Sequence, residues 1–152
     1  MIAVIQRVSS ATVKVDGELV GSCGQGLCVL LGVAKGDTQA DADALSRKIL
    51  NLRIFEDDAG KMNRSVLDVG GGMLIVSNFT LLAAYKKGNR PDYMGAAAPD
   101  EANELYEYFA GLCAEHVPVG RGVFGADMKV DIANDGPVTI VMDSAVLLGK
   151  QG

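Results

Sequence analysis

The sequence predicts a single mixed α/β domain, and three observations carry that expectation. Residues Ile2 to Val8 alternate apolar and polar and lead into a second alternating pair of segments around Asp16-Gly17, a pattern of strand, strand and tight hairpin. Leu27-Cys28-Val29-Leu30-Leu31 is a continuous apolar run, as expected of a strand covered on both faces. Two later stretches, after Thr38 and after Pro99, place apolar residues at helical spacing. With 152 residues the chain is of one-domain size and can bury one ordinary core, so the domain is taken as 1–152.

The elements follow in order. Ile2 to Val8 is the first strand, and Ala11 to Val15 and Glu18 to Ser22 flank the hairpin turn. Gly26 to Val33 belongs at the centre of the core. Thr38 caps a helix whose buried positions are Ala42, Leu45, Ile49 and Leu52, with Asp43 four residues before Arg47 on the polar side. Asp57-Asp58-Ala59-Gly60 is a turn. Gly70-Gly71-Gly72 forms a hairpin bend before a strand from Met73 to Phe79; no Lys-Ser or Lys-Thr follows the glycines, which excludes a P-loop. Pro99-Asp100-Glu101 opens a second helix, with Leu105, Phe109, Leu112 and Cys113 on its buried face. Strands at Gly122 to Phe124, Met128 to Ile132 and Val138 to Met142 complete the sheet, the last two joined by a turn at Asn134-Asp135-Gly136-Pro137.

Composition excludes several classes. Apolar residues make up 49% and charged residues 22%, which is globular rather than disordered. No run approaches the roughly 18 apolar residues of a membrane helix, and the first residues enter a strand without a leader-like pattern, so a cytoplasmic protein with no membrane partner is expected. Cys23, Cys28 and Cys113 show no Cys-x-x-Cys spacing, and His116 is the sole histidine, so neither a metal site nor a cofactor is expected. The thiols read as small reduced core residues, and His116 as a helix-end residue complementing the dipole.

A net charge of −5 is unfavourable for a nucleic-acid binder, yet Lys86-Lys87-Gly88-Asn89-Arg90 is a dense basic run to which Lys61 and Arg64 could add. A local phosphate-binding patch and a solvated loop are equally good readings of it.

The catalytic inventory is sparse. A Ser-His-Asp triad would need His116 at a helix end to reach a serine. The acids fall in helices and turns where solvation explains them, which leaves no carboxylate pair for glycoside hydrolysis. Thr80 lacks an adjacent base that would make its hydroxyl a nucleophile.

Two separated segments change this picture, Ser77-Asn78-Phe79-Thr80-Leu81 and Asn134-Asp135-Gly136-Pro137-Val138-Thr139. Together they resemble the signature motifs of the D-aminoacyl-tRNA deacylases (the D-tyrosyl-tRNA deacylase family), a Ser-Gln-x-Thr-Leu strand end and an Asn-x-Gly-Pro-Val-Thr turn. The opening Met1-Ile2-Ala3-Val4-Ile5-Gln6-Arg7-Val8 is similar to that family's first strand, so the likeness spans the chain. It implies a three-layer β/β/α sandwich, strands in two layers with helices on one outer face, assembled as a homodimer that acts on aminoacyl-tRNA and not on DNA.

The resemblance also assigns roles. Ser77, Phe79 and Thr80 would line the pocket for the terminal adenosine and the scissile ester, with backbone N–H groups facing a developing oxyanion. The alternative is an ordinary strand end packed on the second sheet. A cis Gly136-Pro137 would enter the partner's pocket and exclude L-amino acids sterically, accepting many D-amino acids and glycine. Arg7 would brace that segment, with Asn78 and Asn134 in support; an exposed strand arginine is the competing reading of Arg7. The ribose 2′-hydroxyl of the RNA would share in catalysis, and Lys86, Lys87 and Arg90 would contact phosphates.

The chain departs from the family pattern at Asn78, where glutamine is usual, and at Asp92-Tyr93, where Ser-Phe is usual. An editing deacylase for a small L-amino acid and a non-catalytic RNA-binding dimer are the competing functions. The first should lack Gly136-Pro137, and the second leaves the Ser77 to Thr80 segment without purpose.

Overall fold

The computed structural model describes residues 1–150. Its frame is one long strand, β1 (Ile2–Val15), to which three others pair. Asp16 and Gly17 both adopt positive φ, 50° and 80°, as the two-residue turn demands, and return the chain as β2 (Glu18–Cys23). β3 (Gly26–Gly32) runs antiparallel along the first half of β1 and parallel to β6 (Gly72–Ser77). β7 (Val119–Arg121) adds a further parallel strand beside β6, and β8 (Lys129–Asp143) pairs antiparallel with β1 over its length. A separate hairpin holds β4 (Phe55–Glu56) and β5 (Met62–Arg64).

Side-chain alternation divides this sheet between two cores. Ala3, Ile5, Leu27, Val29, Leu31, Met73 and Ile75 point into a cluster shared with helices α1 (Gln39–Leu50) and α2 (Pro99–Ala114). Their neighbours Cys28, Leu74 and Val76 point the other way and meet Val8, Ala11 and Val13 from the second half of β1, with Val130 and Ile132 of β8. Since strand side chains alternate with period two, the sheet is buried on both faces only because its far half folds back over it. The layers are therefore helices, sheet and folded-over sheet, the mixed α/β sandwich expected from the sequence.

Several elements differ from expectation. The strands expected at 2–8 and 11–15 are one strand with register shifts near Val8. The three glycines form no hairpin bend: β6 starts at Gly72 and runs parallel to β3, where a Cβ on Gly71 would lie 2.9 Å from the Gln25 carbonyl oxygen and one on Gly26, at the start of β3, 1.9 Å from that of Gly72. β6 ends at Ser77, and Phe79–Leu82 is a 3₁₀ turn rather than strand. The strand expected at 122–124 lies instead at Val119–Arg121, the second-last strand, and 122–124 falls in the connection after it.

The helices show two further corrections. On α1 the Thr38 N–H donates to Asp41 Oδ2 at 2.9 Å, but Asp43 accepts from the Tyr108 hydroxyl at 2.6 Å instead of pairing with Arg47. Leu52 lies beyond the helix end. On α2 the buried stripe is Ala102, Tyr106, Phe109, Ala110 and Cys113, while Leu105 and Leu112 are half-buried at its margins. A last short helix, α3 (Ser144–Leu147), is capped by Asp143, whose carboxylate accepts from the Ala145 N–H. Among the described residues no helix is long and apolar enough to cross a membrane.

Candidate active site

A cavity of about 860 Å³ opens where β6 ends. Ser77, Asn78, Phe79 and Thr80 form one wall, the segment from Ala96 to Pro99 another, and Phe124, Met128 and Ile132 the apolar floor. β6 is anchored behind this wall by Tyr106, whose hydroxyl donates to the Ile75 carbonyl at 2.7 Å; burial pushes that phenol up to about 12, so it stays protonated and structural.

The wall is built from the strand's own termination. The Asn78 N–H makes the last bond to β3, donating to Leu31 O at 2.8 Å, and the chain then tightens into the 3₁₀ turn. The first bond of that turn runs from Leu81 N–H to Asn78 O at 3.3 Å. The N–H groups of Phe79 and Thr80 precede it and have no carbonyl partner within the turn. Phe79 is 56% exposed and meets Tyr93 edge-on, with ring centroids 5.0 Å apart. The Thr80 hydroxyl donates to Asn78 Oδ1 at 2.5 Å, so the residue that departs from the family pattern orients that threonine.

Acid–base chemistry is nearly absent here. Asp127 is the one carboxylate of the described wall, and it pairs with Lys129 at 3.4 Å. His116 lines a smaller groove of about 290 Å³ with Asp43 and Glu115, away from every residue of the cavity, so no triad forms. Burial pushes Cys28 and Cys113 up to about 12 and raises Cys23, which leaves none of them as a ready thiolate. Among the described residues no cluster of three metal-ligating side chains occurs.

The second motif lies elsewhere on the same chain. Asn134 to Val138 is not a turn between two strands, because both halves of β8 pair with β1. The register passes from Gln6↔Thr139 to Val8↔Asn134, so residues 135–138 bulge out opposite Arg7 alone. The Gly136-Pro137 bond is cis and both residues are exposed, outside the cavity wall. Asn134 closes the bulge, accepting from the Val138 N–H at 2.9 Å and donating to Thr139 Oγ1 at 2.9 Å.

Arg7 is 7% exposed, which rules out the exposed-arginine reading. Its Nε donates to the Asp135 carbonyl at 3.0 Å and its Nη1 to the Ile54 carbonyl at 2.8 Å. The guanidinium satisfies the Asp135 carbonyl that the missing ladder bonds leave behind and ties it to the segment after α1.

Lys86, Lys87 and Arg90 lie on an exposed loop, 84–92, whose feet are joined by reciprocal Ala84–Asp92 backbone bonds at 2.8 and 2.9 Å. Arg64 is held by Asp58 at 3.1 Å on the β4–β5 hairpin and adds no free cation to them. The structure thus gathers Ser77, Asn78, Phe79 and Thr80 in one cavity and holds Arg7, Asn134, Gly136 and Pro137 in a second cluster. Sequence reasoning noted Tyr93 only as a departure from the family pattern, and it missed the floor residues Phe124, Met128 and Ile132, whose apolar character is that of any core position.

Known proteins place this geometry in context. The family described as D-Tyr-tRNA(Tyr) deacylase matches residues 4–143. A D-aminoacyl-tRNA deacylase from Ruegeria pomeroyi is 60% identical over 94% of this chain and 99% of its own. The solved structure of c-Myc DNA Unwinding Element Binding Protein is 44% identical, with a TM-score of 0.89 over 94% of this chain and 98% of that one. A second solved structure, described as that of a probable eukaryotic D-amino acid tRNA deacylase, shares 18% identity at a TM-score of 0.79, covering 93% and 98%, and thus shares the fold. With a family match across most of its length, the chain belongs to the D-Tyr-tRNA(Tyr) deacylase family.

Proposed function

We propose that this protein is a hydrolase that cleaves the ester between a D-amino acid and the 3′-terminal adenosine of tRNA. The observation that carries the reading is the cavity at Ser77 to Thr80, with backbone donors at Phe79 and Thr80 and no acid–base pair in its wall. An ester is activated enough to need little more than a stabilised oxyanion and a positioned water, and fixed N–H groups are effective at the former. The ribose 2′-hydroxyl, present in RNA alone, supplies the proton-handling group that the protein lacks.

Chiral selection is assigned to Gly136-Pro137. These residues lie outside the cavity of their own chain, which favours a homodimer in which each bulge reaches the partner's cavity. A rigid backbone element excludes one enantiomer without reading the side chain, so many D-amino acids are accepted, and glycine, with no side chain to clash, is accepted too. Lys86, Lys87 and Arg90 supply phosphate contacts.

The test is hydrolysis of D-tyrosyl-tRNA and L-tyrosyl-tRNA by catalytic amounts of protein, with EDTA in a parallel sample. Loss of the D-ester alone, unaffected by EDTA, is the expected result. Persistence of both esters would return the protein to the class of non-catalytic RNA-binding dimers, and loss of an L-ester would place it among editing deacylases for L-amino acids.

A further inference from the structure

Loop 84–92 is more than a basic stretch. Its two feet adjoin the cavity wall: one follows the 3₁₀ turn that carries Thr80, and the other leads into Tyr93, which lines the cavity and packs against Phe79. One residue beyond the first foot Tyr85 is 80% exposed, and beyond the second foot Met94 is 75% exposed. Between them stand Lys86, Lys87 and Arg90, none in an ion pair among the described residues, although acids outnumber bases in the chain as a whole. The acid next along the chain, Asp92, accepts from the Met94 N–H at 3.2 Å.

An aromatic ring held in water beside unpaired cations is the combination that grips single-stranded nucleic acid, by base stacking and phosphate neutralisation together. From this placement we infer that Tyr85 is a stacking platform for the unpaired nucleotides preceding the terminal adenosine, with Lys86, Lys87 and Arg90 tracking their phosphates. The inference rests on the reading that the terminal adenosine occupies the cavity. It gives the reaction a binding subsite outside the pocket, and it makes Tyr85 a positioning residue that acts on substrate capture.

Two measurements test it. In the first, hydrolysis of D-tyrosyl-tRNA is compared with that of D-tyrosyl-adenosine, which lacks the preceding nucleotides. Tyr85→Ala should raise KM for the tRNA about tenfold relative to KM for the nucleoside ester, with kcat on tRNA held, and Tyr85→Phe should restore the wild-type ratio because stacking uses the ring and not the hydroxyl. In the second, a fluorescent single-stranded RNA ending in CCA is titrated by anisotropy, which reads the subsite even if no ester is cleaved. Tyr85→Ala should weaken binding about tenfold, and Tyr85→Phe should not. An unchanged KM ratio, unchanged RNA binding, or a change of oligomeric state in Tyr85→Ala by sedimentation would overturn the inference. Cleavage of neither ester alongside Tyr85-dependent RNA binding would instead sink the deacylase reading and leave the subsite standing.

Discussion

Arg7 Nε sits 3.0 Å from the carbonyl oxygen of Asp135, and through that bond the first strand holds a bulge 128 residues away in sequence. The same guanidinium reaches Ile54 O at 2.8 Å, so one buried side chain joins β1, the segment after α1 and the bulge of β8. No other described side chain makes that three-way connection.

Arg7→Lys keeps the charge and loses the planar fork, so it cannot serve both carbonyls in their present directions. The loss of one charge-assisted bond corresponds to about 1.5–3 kcal/mol, and the D-ester kcat/KM should fall at least about tenfold. Urea denaturation with deacylation assays checks both, and a variant with wild-type kcat/KM would remove Arg7 from the positioning of the bulge.

Gly136 has φ of 137°, and a Cβ there would lie 2.8 Å from the Val138 nitrogen. Gly136→Ala should therefore displace the bulge, lowering stability by about 1–3 kcal/mol and D-ester hydrolysis more severely. Its effect is read as the ratio of D-ester to L-ester hydrolysis in folded protein, judged by circular dichroism. An unaltered ratio and rate would mean that the backbone at this position does not contact the amino acid.

The Thr80 hydroxyl donates its proton to Asn78, which makes it a poor general acid in this arrangement. Thr80→Ala should lower kcat by no more than about tenfold, whereas tRNA ending in 2′-deoxyadenosine should lose about a hundredfold or more, the scale of a general acid–base group. Single-turnover hydrolysis of the two tRNAs decides this, and equal rates would delete the 2′-hydroxyl from the mechanism.

Asp41 predicts an acid limit to stability. Burial alone would raise its carboxyl, but bonds from Lys150 Nζ, the Thr38 N–H and the Ser144 hydroxyl prevail and hold it at about 2, below its ordinary 3.8. A depressed carboxylate stabilises the fold fully above the unfolded-state value and loses that contribution as pH falls through the folded one. Stability should decline between about pH 4 and pH 2 by an amount on the order of 1–2 kcal/mol, discounted because Lys150 is half exposed. In Asp41→Asn that part of the urea-midpoint profile should flatten, and an unaltered slope would refute the assignment.

Much of this protein was legible in its residues. The Asp16-Gly17 hairpin, the doubly covered strand β3 and the two amphipathic helices follow from local rules of turn chemistry and periodicity, which need no knowledge of the rest of the chain. The residues at 77 to 80 were singled out only by their resemblance to a family motif, since the residue types alone fit an ordinary strand end equally well. The basic loop was equally visible, though its exposure beside the rim of a cavity was not.

Pairing between distant segments was decided only in three dimensions. That Asn134 to Val138 is a bulge rather than a turn depends on β1 being long enough to pair with both halves of β8, and the local sequence of either half would suit a hairpin equally well. The glycines at 70–72 read as a bend until β6 is seen to run parallel to β3, where backbone crowding at Gly26 and Gly71 sets the requirement. Arg7 carries no signal of burial in its own strand, and only the bulge opposite it together with the segment after α1 supplies the carbonyls that make a buried guanidinium stable. Sequence by itself determined the hairpin turn, the buried strand and the two helices, because their causes lie within a few residues; tertiary structure decided which surfaces meet, because that is a property of register and packing between residues far apart in the chain.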